Sequence, residues 1–159
     1  MDGVPEGFEE FHRSMLGPLV GACTLVTLHP DRASDLAEGA LARVLARWRH
    51  VHGEWHGAVL AYREAMRACR RELRGPGRPS AEGSAPLTAL DAAVAAALRG
   101  LGPDARIVVV LRDWAGLELD DVARIVRRPP ADVAVLLGPA RDRLRAALHG
   151  AVPAPGTAT

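Results

Sequence analysis

Arginine is the residue type whose placement in this chain could do chemistry. All 20 basic residues are arginines, and a guanidinium binds phosphate or carboxylate oxygens through a planar fork of donors. One segment has apolar residues at helical spacing, and five arginines lie outside those apolar positions: Arg63, Arg67, Arg70, Arg71 and Arg74. The spacing predicts a helix with a basic outer face, which either binds phosphate or is an ordinary solvated surface.

Histidine and cysteine are weaker candidates for a site. His50, His52 and His56 form the only dense histidine cluster, but their spacing fits no zinc pattern and no cysteine or carboxylate pair completes it. Cys23 and Cys69 fall at apolar helical positions without the close spacing of a metal or redox pair. We expect surface histidines, buried and reduced cysteines, and no metal or other cofactor.

Catalytic motifs are not recognisable in the sequence. It contains no nucleophile, base and oxyanion set, and no glycine motif of the kind that cradles phosphate. We expect a protein that is not an enzyme, and a helical enzyme is the least favoured interpretation.

Composition restricts the fold and the kind of partner. Apolar residues make up 48% of the 159 residues but aromatic residues only 4%, which favours an all-α protein over β-sheets. The net charge of +1 argues against a protein that coats nucleic acid, because that affinity scales with the number of phosphates neutralised. The start lacks a basic and apolar leader, and no stretch reaches the roughly 18 apolar residues of a membrane span. We expect a cytoplasmic protein whose nucleic-acid contacts are local.

The first half predicts helices with one apolar stripe each. Apolar residues recur every three or four positions over residues 8–26, and Gly17 and Pro18 are expected to divide this stretch into two helices. A continuous stripe predicts one long helix over residues 31–51, and the arginine-bearing helix follows at residues 55–74.

A linker is predicted between two domains. Residues 75–86, GPGRPSAEGSAP, contain three Gly and three Pro and no periodic apolar residues, so they cannot bury enough surface to fold. The chain therefore divides into a first small helical domain, residues 1–74, and a second one, residues 87–150. A disordered tail is expected at residues 151–159.

The second half predicts further helices that end in a helix-turn-helix. Residues 103–116 favour a capped helix, although the run at 107–111 has the composition of a buried strand. A short helix at 119–126, a tight turn at 127–130 and a longer helical stretch then follow, which is the layout of a helix-turn-helix.

Two blocks of sequence resemble the sigma factors of the extracytoplasmic-function type, especially an actinobacterial subgroup. The first is FEEFHRSMLGPLVGACTLVTLHPDRASDLAEGALARVLARWRHV, with its acidic helix start, DL pair and arginine-tryptophan. The second, LGPDARIVVVLRDWAGLELDDVARIV, is similar to the family pattern LPxxxRxVxxLR followed by GLSxxEIAxxLG. Together the two quoted blocks contain 70 of the 159 residues, a little under half of the chain.

The resemblance implies that the helix at 31–51 docks on the clamp helices of the largest RNA polymerase subunit. The implied contact residues are Asp35, Leu36, Glu38, Leu41 and Arg43. The alternative is an amphipathic helix whose leucines pack on neighbouring helices.

The resemblance also implies that the helix at 55–74 opens and reads the promoter element near the start site. Arg63, Arg67, Arg70, Arg71 and Arg74 would then contact DNA phosphates, and an exposed aromatic residue could stack on an unpaired base. Trp55 and Tyr62, however, lie on the apolar stripe, and we expect both to be packed in the core.

The sequence of the helix-turn-helix differs from the family pattern at the positions that should contact DNA. The usual turn glycine is replaced by Arg127, the stretch from Ala131 to Gly138 has Asp132 as its only charge, and Pro139 is expected to kink or split the last helix. An apolar patch at residues 135–137 would suit a protein partner. The remaining candidates for phosphate contact are Arg127, Arg128, Arg141, Arg143 and Arg145.

These observations predict a sigma factor that binds core RNA polymerase and promoter DNA, with altered or weakened reading of the distal promoter element. The alternative is a sigma-derived adaptor that acts through protein contacts without reading a promoter. In either case an anti-sigma factor or another regulatory protein is an expected partner.

Overall fold

The computed structural model describes residues 5–75 and 89–151, and these residues are helical with no strand. The N-terminal group contains α1 (Phe8–Thr27), α2 (Pro30–Leu45) and α3 (Gly53–Arg74). The C-terminal group contains α4 (Ala89–Arg99), α5 (Pro103–Val109), α6 (Leu119–Val126) and α7 (Pro130–Ala151). The prediction of an all-α fold is confirmed.

Helix α1 is continuous, so the predicted division at Gly17 and Pro18 is wrong. Pro18 lies inside the helix, where it removes one main-chain hydrogen bond at a cost of about 3 kcal/mol. The same helix buries Phe11, Leu19 and Val26 completely or nearly so, and burial of three such side chains contributes several kcal/mol. Packing against α2 and α3 therefore outweighs the local preference of proline.

Helix α2 ends at Leu45, six residues before the predicted end at Val51. A single 3₁₀ turn, Trp48–His50, follows it. The indole of Trp48 donates a 3.0 Å hydrogen bond to the main-chain oxygen of Glu6 and lies 5.2 Å from the ring of Phe8. Because Trp48 makes these contacts near the start of α1, the chain leaves the α-helical conformation after Leu45.

The helix predicted over residues 103–116 is present over residues 103–114, and this segment is not a strand. Helix α5 continues into a π-helical turn, Val110–Trp114, which ends with a 2.9 Å hydrogen bond from the Ala115 N–H to the Val110 oxygen. Gly116 follows at φ +70°. Residues 107–111 are all buried, which explains why their composition matches that of a buried strand.

The predicted helix-turn-helix is present as α6, a turn and α7. Arg127 adopts a left-handed conformation with φ 59° and ψ 48°, a conformation that favours glycine, and this costs about 1 kcal/mol. Helix α7 continues through Pro139, so the predicted split of this helix is wrong. Val133, Leu137 and Ala140 are buried on both sides of the proline and hold the helix together.

The two groups pack on each other and share one hydrophobic core. Leu19 and Val26 of α1 belong to the same buried cluster as Ile107 of α5, Leu111 and Val122. Most of the predicted linker (residues 76–86) and of the tail (152–159) lie outside the described residues. The division into two independent domains therefore stays a prediction.

Candidate nucleic-acid and polymerase interface

The predicted basic face of α3 is divided into two parts. Arg67, Arg71 and Arg74 are exposed to solvent. Arg63 and Arg70 are only partly exposed, because both side chains contact the C-terminal group. Arg71 and Arg74 are open to a phosphate backbone in this arrangement, Arg67 is half-exposed beside Glu64, and the second set is engaged by the C-terminal group.

Asp104 joins predicted DNA-contact residues from both groups. Its Oδ1 accepts a 3.2 Å hydrogen bond from Arg70 Nε of α3, and its Oδ2 accepts a 2.7 Å hydrogen bond from Arg128 Nη2 in the helix-turn-helix turn. One carboxylate therefore lies between two guanidinium groups that were predicted to bind phosphate separately. Arg63 Nη2 adds a 3.3 Å hydrogen bond to the main-chain oxygen of Arg124 at the end of α6.

Trp55 is 56% exposed, so the prediction that it packs in the core is wrong. Its indole N–H donates to Asp121 Oδ2 at 3.3 Å, and the guanidinium of Arg124 lies 5.3 Å from the ring centroid. A cation over the face of tryptophan is a favourable contact. Trp55 is the third residue of α3. The apolar positions in this first turn lie outside the core.

Tyr62 is packed in the core, as predicted. Burial, together with the neighbouring Cys23, raises the pKa of its hydroxyl above the usual value. Tyr62 therefore contributes to packing and is not available to stack on a base.

A buried carboxylate that the sequence did not reveal organises the other end of the basic face. Glu64 is 2% exposed and has three arginine neighbours: Arg47 at 3.3 Å, Arg67 at 3.7 Å and Arg43 at 4.0 Å. A buried charge needs such partners, because losing its hydration is costly. The cluster ties α2 to α3 and brings a residue predicted for polymerase contact, Arg43, beside one predicted for DNA contact, Arg67.

The predicted polymerase-contact residues lie along α2 with one exception. Asp35, Glu38 and Arg43 are exposed and Leu36 is partly exposed. Leu41 is 1% exposed and belongs to the core, so it is removed from the set of contact residues for this conformation. The burial of Leu41 agrees with the alternative interpretation, in which the leucines pack on neighbouring helices.

A cleft of about 260 Å³ separates α2 from α3 beside these residues. Leu36, Gly39 and Ala68 contribute to its lining, and so do the charged Arg43 and Arg71. A cleft lined by both apolar and charged residues suits a side chain of a protein partner.

The predicted recognition segment presents little to DNA. Val133 and Leu137 are buried, Leu136 is partly exposed, and Val135 is 73% exposed. The expected patch at 135–137 is therefore reduced mainly to Val135, because Leu137 points into the core. Asp132 is exposed in the first turn of α7, where its charge would repel phosphate.

The remaining C-terminal arginines differ in their surroundings. Arg141 forms a bidentate ion pair with Asp113, which raises the pKa of the guanidinium. Arg145 pairs with Asp142 at 2.9 Å, and Arg143 is exposed. Arg127 and Arg128 line a cleft of about 480 Å³ beside Pro129. Of these five arginines, the two at the turn therefore share one cleft, whereas two of the three on α7 are paired with carboxylates.

Two of the clustered histidines contact each other, and both cysteines are buried. The His52 main-chain N–H donates to His56 Nδ1 at 3.1 Å, and the described parts of the chain bring no three His, Cys, Asp or Glu side chains together as a metal site. Cys23 and Cys69 are buried and unbridged, as predicted. A hydrogen bond with Cys23 and burial both raise the pKa of the Cys69 thiol. None of the described helices is long and apolar enough to span a bilayer.

The sequence matches no protein-family model and no curated protein. The fold, with its seven helices in the described residues, is similar to that of sigma factors. One structure that shows this likeness is that of the sigma factor RpoE in complex with the anti-sigma factor NepR from Bartonella quintana. The match has a TM-score of 0.67 and 20% sequence identity, and covers 91% of this chain and 98% of that one. At this level of identity the comparison establishes the fold.

Proposed function

We propose that this protein is a sigma factor of the extracytoplasmic-function type that binds core RNA polymerase and directs promoter-specific initiation. The observation that carries the proposal is that α3 bears an exposed indole, Trp55, in its first turn and two exposed arginines, Arg67 and Arg74, farther along the same helix. Indole rings stack on unpaired bases and guanidinium groups hold phosphates. A protein that holds a strand of an opened upstream promoter needs both an indole ring and guanidinium groups.

Polymerase binding is assigned to the outer side of α2. Asp35, Glu38 and Arg43 are exposed there, and Leu36 borders the cleft beside α3. An apolar anchor inside a charged rim is the usual anatomy of a protein interface. A protein that acts on bacterial core polymerase works in the cytoplasm, and that is the compartment we propose.

Reading of the distal promoter element is proposed to be weak or altered. Base edges are read by side chains that hydrogen-bond in the major groove, and the exposed start of α7 offers Ala131, Asp132, Ala134 and Val135. Arg127 and Arg128 in the turn supply phosphate contacts, which position a protein without specifying a sequence.

The second candidate function is a sigma-derived adaptor that works through protein contacts. The exposure of Val135 next to Asp132 on α7 favours it, since an exposed apolar residue with an acidic neighbour suits a protein surface better than DNA. The structure similar in fold holds a sigma factor with an anti-sigma factor, and we propose a regulatory protein of that kind as a partner here.

Run-off transcription with purified core polymerase and fragmented DNA from the source organism tests the proposal. The wild-type chain is expected to produce discrete transcript starts, Trp55→Ala to reduce them strongly, and Arg13→Ala, an exposed change on α1, to leave them unchanged. No initiation from any fragment would contradict a sigma factor. Polymerase binding without initiation would favour the adaptor.

A further inference from the structure

Glu64 gathers the charged ends of three arginines that come from different segments. Arg43 lies in the last turn of α2, Arg47 lies between α2 and the 3₁₀ turn, and Arg67 lies on α3. Glu64 is 2% exposed, whereas these arginine side chains are 43%, 56% and 48% exposed, respectively. The cluster is therefore a buried anion beneath three guanidinium groups that solvent reaches.

The cluster carries more positive charge than its own carboxylate neutralises. Three arginines and one glutamate leave it with a net charge of +2. The three pairs are also long, at 3.3, 3.7 and 4.0 Å, compared with about 2.7–2.9 Å for a tight charge-assisted hydrogen bond. Glu64 thus holds the guanidinium groups together without saturating any of them.

Each guanidinium keeps donors for a further acceptor. Nη1 of Arg43 donates to the main-chain oxygen of Gly39 at 2.9 Å, and Nη1 of Arg47 donates to Glu64. Within the described residues, the Nη2 group of each of the three arginines donates to no other side chain or carbonyl oxygen. Because a guanidinium has five donors in a planar fork, an external oxyanion can bind to all three side chains.

The cations are close enough for one anion to contact more than one of them. Nη1 of Arg47 and Nη1 of Arg67 both lie beside Oε1 of Glu64. The two nitrogens are therefore at most 7.0 Å apart, which is the sum of their distances to that oxygen. A tetrahedral oxyanion whose oxygens lie about 2.8 Å from each donor can bridge this separation.

Other carboxylates beside the cluster have a cation of their own. Asp35 and Glu72 line the same cleft between α2 and α3 as Arg43 and Arg71. Arg32 lies 3.7 Å from Asp35 and 3.2 Å from Glu72, so it partly balances their charge. Arg71 is exposed and adds a further cation to this cleft. The surroundings therefore leave the positive charge of the cluster available to an anion.

We propose that Arg43, Arg47 and Arg67, held together by Glu64, form a binding site for a terminal phosphate group. Such a group has a charge of about −1.5 to −2 at neutral pH and three acceptor oxygens, which match the net charge and the three cations of the cluster. A carboxylate or a phosphodiester carries a single negative charge and matches the cluster less well. Glu64 is a positioning residue, because it acts only through the arginines.

Occupation of this phosphate site competes with the contacts proposed above for two of its arginines. Arg43 is proposed to contact polymerase and Arg67 to contact DNA, so this consequence rests on the proposed function, whereas the site itself does not. A bound phosphate would therefore lower initiation. Two sources offer a terminal phosphate, a free nucleotide and the phosphorylated 5′ end of a nucleic-acid strand.

The first measurement is titration of the full-length chain with inorganic phosphate at constant ionic strength, followed by NMR of the arginine Nε–H groups. The signals of Arg43, Arg47 and Arg67 are expected to shift and saturate. Arg47→Ala is expected to weaken binding roughly fivefold or more, because one of three cations is lost. Arg49→Ala removes the same charge at an exposed position two residues later, and binding should stay within about twofold of wild type. Shifts that do not saturate, or equal weakening in both variants, overturn the site.

A second pair of variants separates binding from folding. Arg47→Lys and Arg43→Lys keep the positive charge but lose the planar fork of donors. Each is expected to retain the helix content of wild type by circular dichroism and to bind phosphate about threefold more weakly. These variants decide the question if Arg47→Ala does not fold. Wild-type affinity in both lysine variants would overturn a site built on guanidinium groups.

Further probes distinguish the two sources of the phosphate. They are a nucleoside diphosphate and a single-stranded thymidine hexamer, the latter with and without a 5′ phosphate. Tighter binding of the diphosphate identifies a free nucleotide as the ligand, and tighter binding of the phosphorylated hexamer identifies a strand end. A hexamer that binds equally well with and without its 5′ phosphate, and better than inorganic phosphate, would show a phosphodiester site and overturn the proposal.

The phosphate site and the sigma-factor proposal fail in different ways. If phosphate binds with the expected loss in Arg47→Ala but the chain never initiates transcription, the site stands and the sigma-factor proposal fails. If the chain initiates transcription and its arginine signals do not respond to phosphate, the sigma-factor proposal stands and the site fails.

Discussion

Arg106 donates a 2.9 Å hydrogen bond to the main-chain oxygen of Val26, a residue 80 positions earlier in the chain. Replacing Arg106 with alanine is expected to lower the free energy of unfolding by about 2 kcal/mol, because hydrogen bonds from a charged donor are lost and two buried carbonyl oxygens lose a donor. Urea unfolding followed by circular dichroism measures this loss. Arg49→Ala, at an exposed position, is the control, and equal stability of wild type and Arg106→Ala would contradict the assigned contact.

Tyr62 is the only tyrosine of the chain, so its ionisation can be followed by ultraviolet absorbance without another phenol. Burial raises its pKa above the usual value of 10.0, so the folded state holds the proton more tightly than the unfolded state. Its contribution to stability is fully present below pH 10 and is lost as the pH rises towards the folded-state pKa. We expect stability to fall above about pH 10 and Tyr62→Phe to make this fall less steep. A tyrosine that titrates at its usual value in the folded chain would contradict its burial.

Glu64 holds three arginines between α2 and α3. Glu64→Ala is expected to lower the free energy of unfolding by about 1–2 kcal/mol, less than for a fully buried pair, because the half-exposed arginines can regain water. Chemical denaturation measures the effect. Glu54→Ala, at an exposed position on the same helix, should change stability by less than about 0.5 kcal/mol. A loss no greater than that of Glu54→Ala would show that the cluster does not hold the two helices.

Arg127 occupies a left-handed turn position that suits glycine. Arg127→Gly is expected to raise the free energy of unfolding by about 1 kcal/mol, because glycine adopts positive φ without strain. Arg127→Ala removes the same charge but keeps a Cβ, so it serves as the matched comparison in thermal unfolding. If the alanine variant gained as much stability as the glycine variant, charge and not backbone strain would explain the change.

The sequence predicted most helices, because each carries one apolar stripe that tertiary packing uses. Helix α6 occurs at residues 119–126 as predicted, and the basic turn follows it. Predictions failed where local preference competed with packing. Pro18 and Pro139 were expected to break helices, but buried neighbours on both sides keep α1 and α7 continuous.

The site was predicted less completely than the fold, because spacing does not reveal which helix covers a residue. The arginines of α3 were identified as a set, but nothing in their spacing indicated that Asp104, 34 residues after Arg70, would pair with one of them. Trp55 belongs to the stripe by periodicity yet lies at the end of the helix, beyond the core. Glu64 is off the stripe, and only the approach of α2 buries it.

Purification of the tagged full-length protein from its source organism shows whether this chain works on RNA polymerase. The proteins that copurify are measured for stoichiometry. We expect the core polymerase subunits in equimolar amounts, and less of them when Asp35 and Arg43 on the outer side of α2 are replaced with residues of opposite charge. A different stoichiometric partner, with no polymerase subunit in the complex, would contradict this expectation.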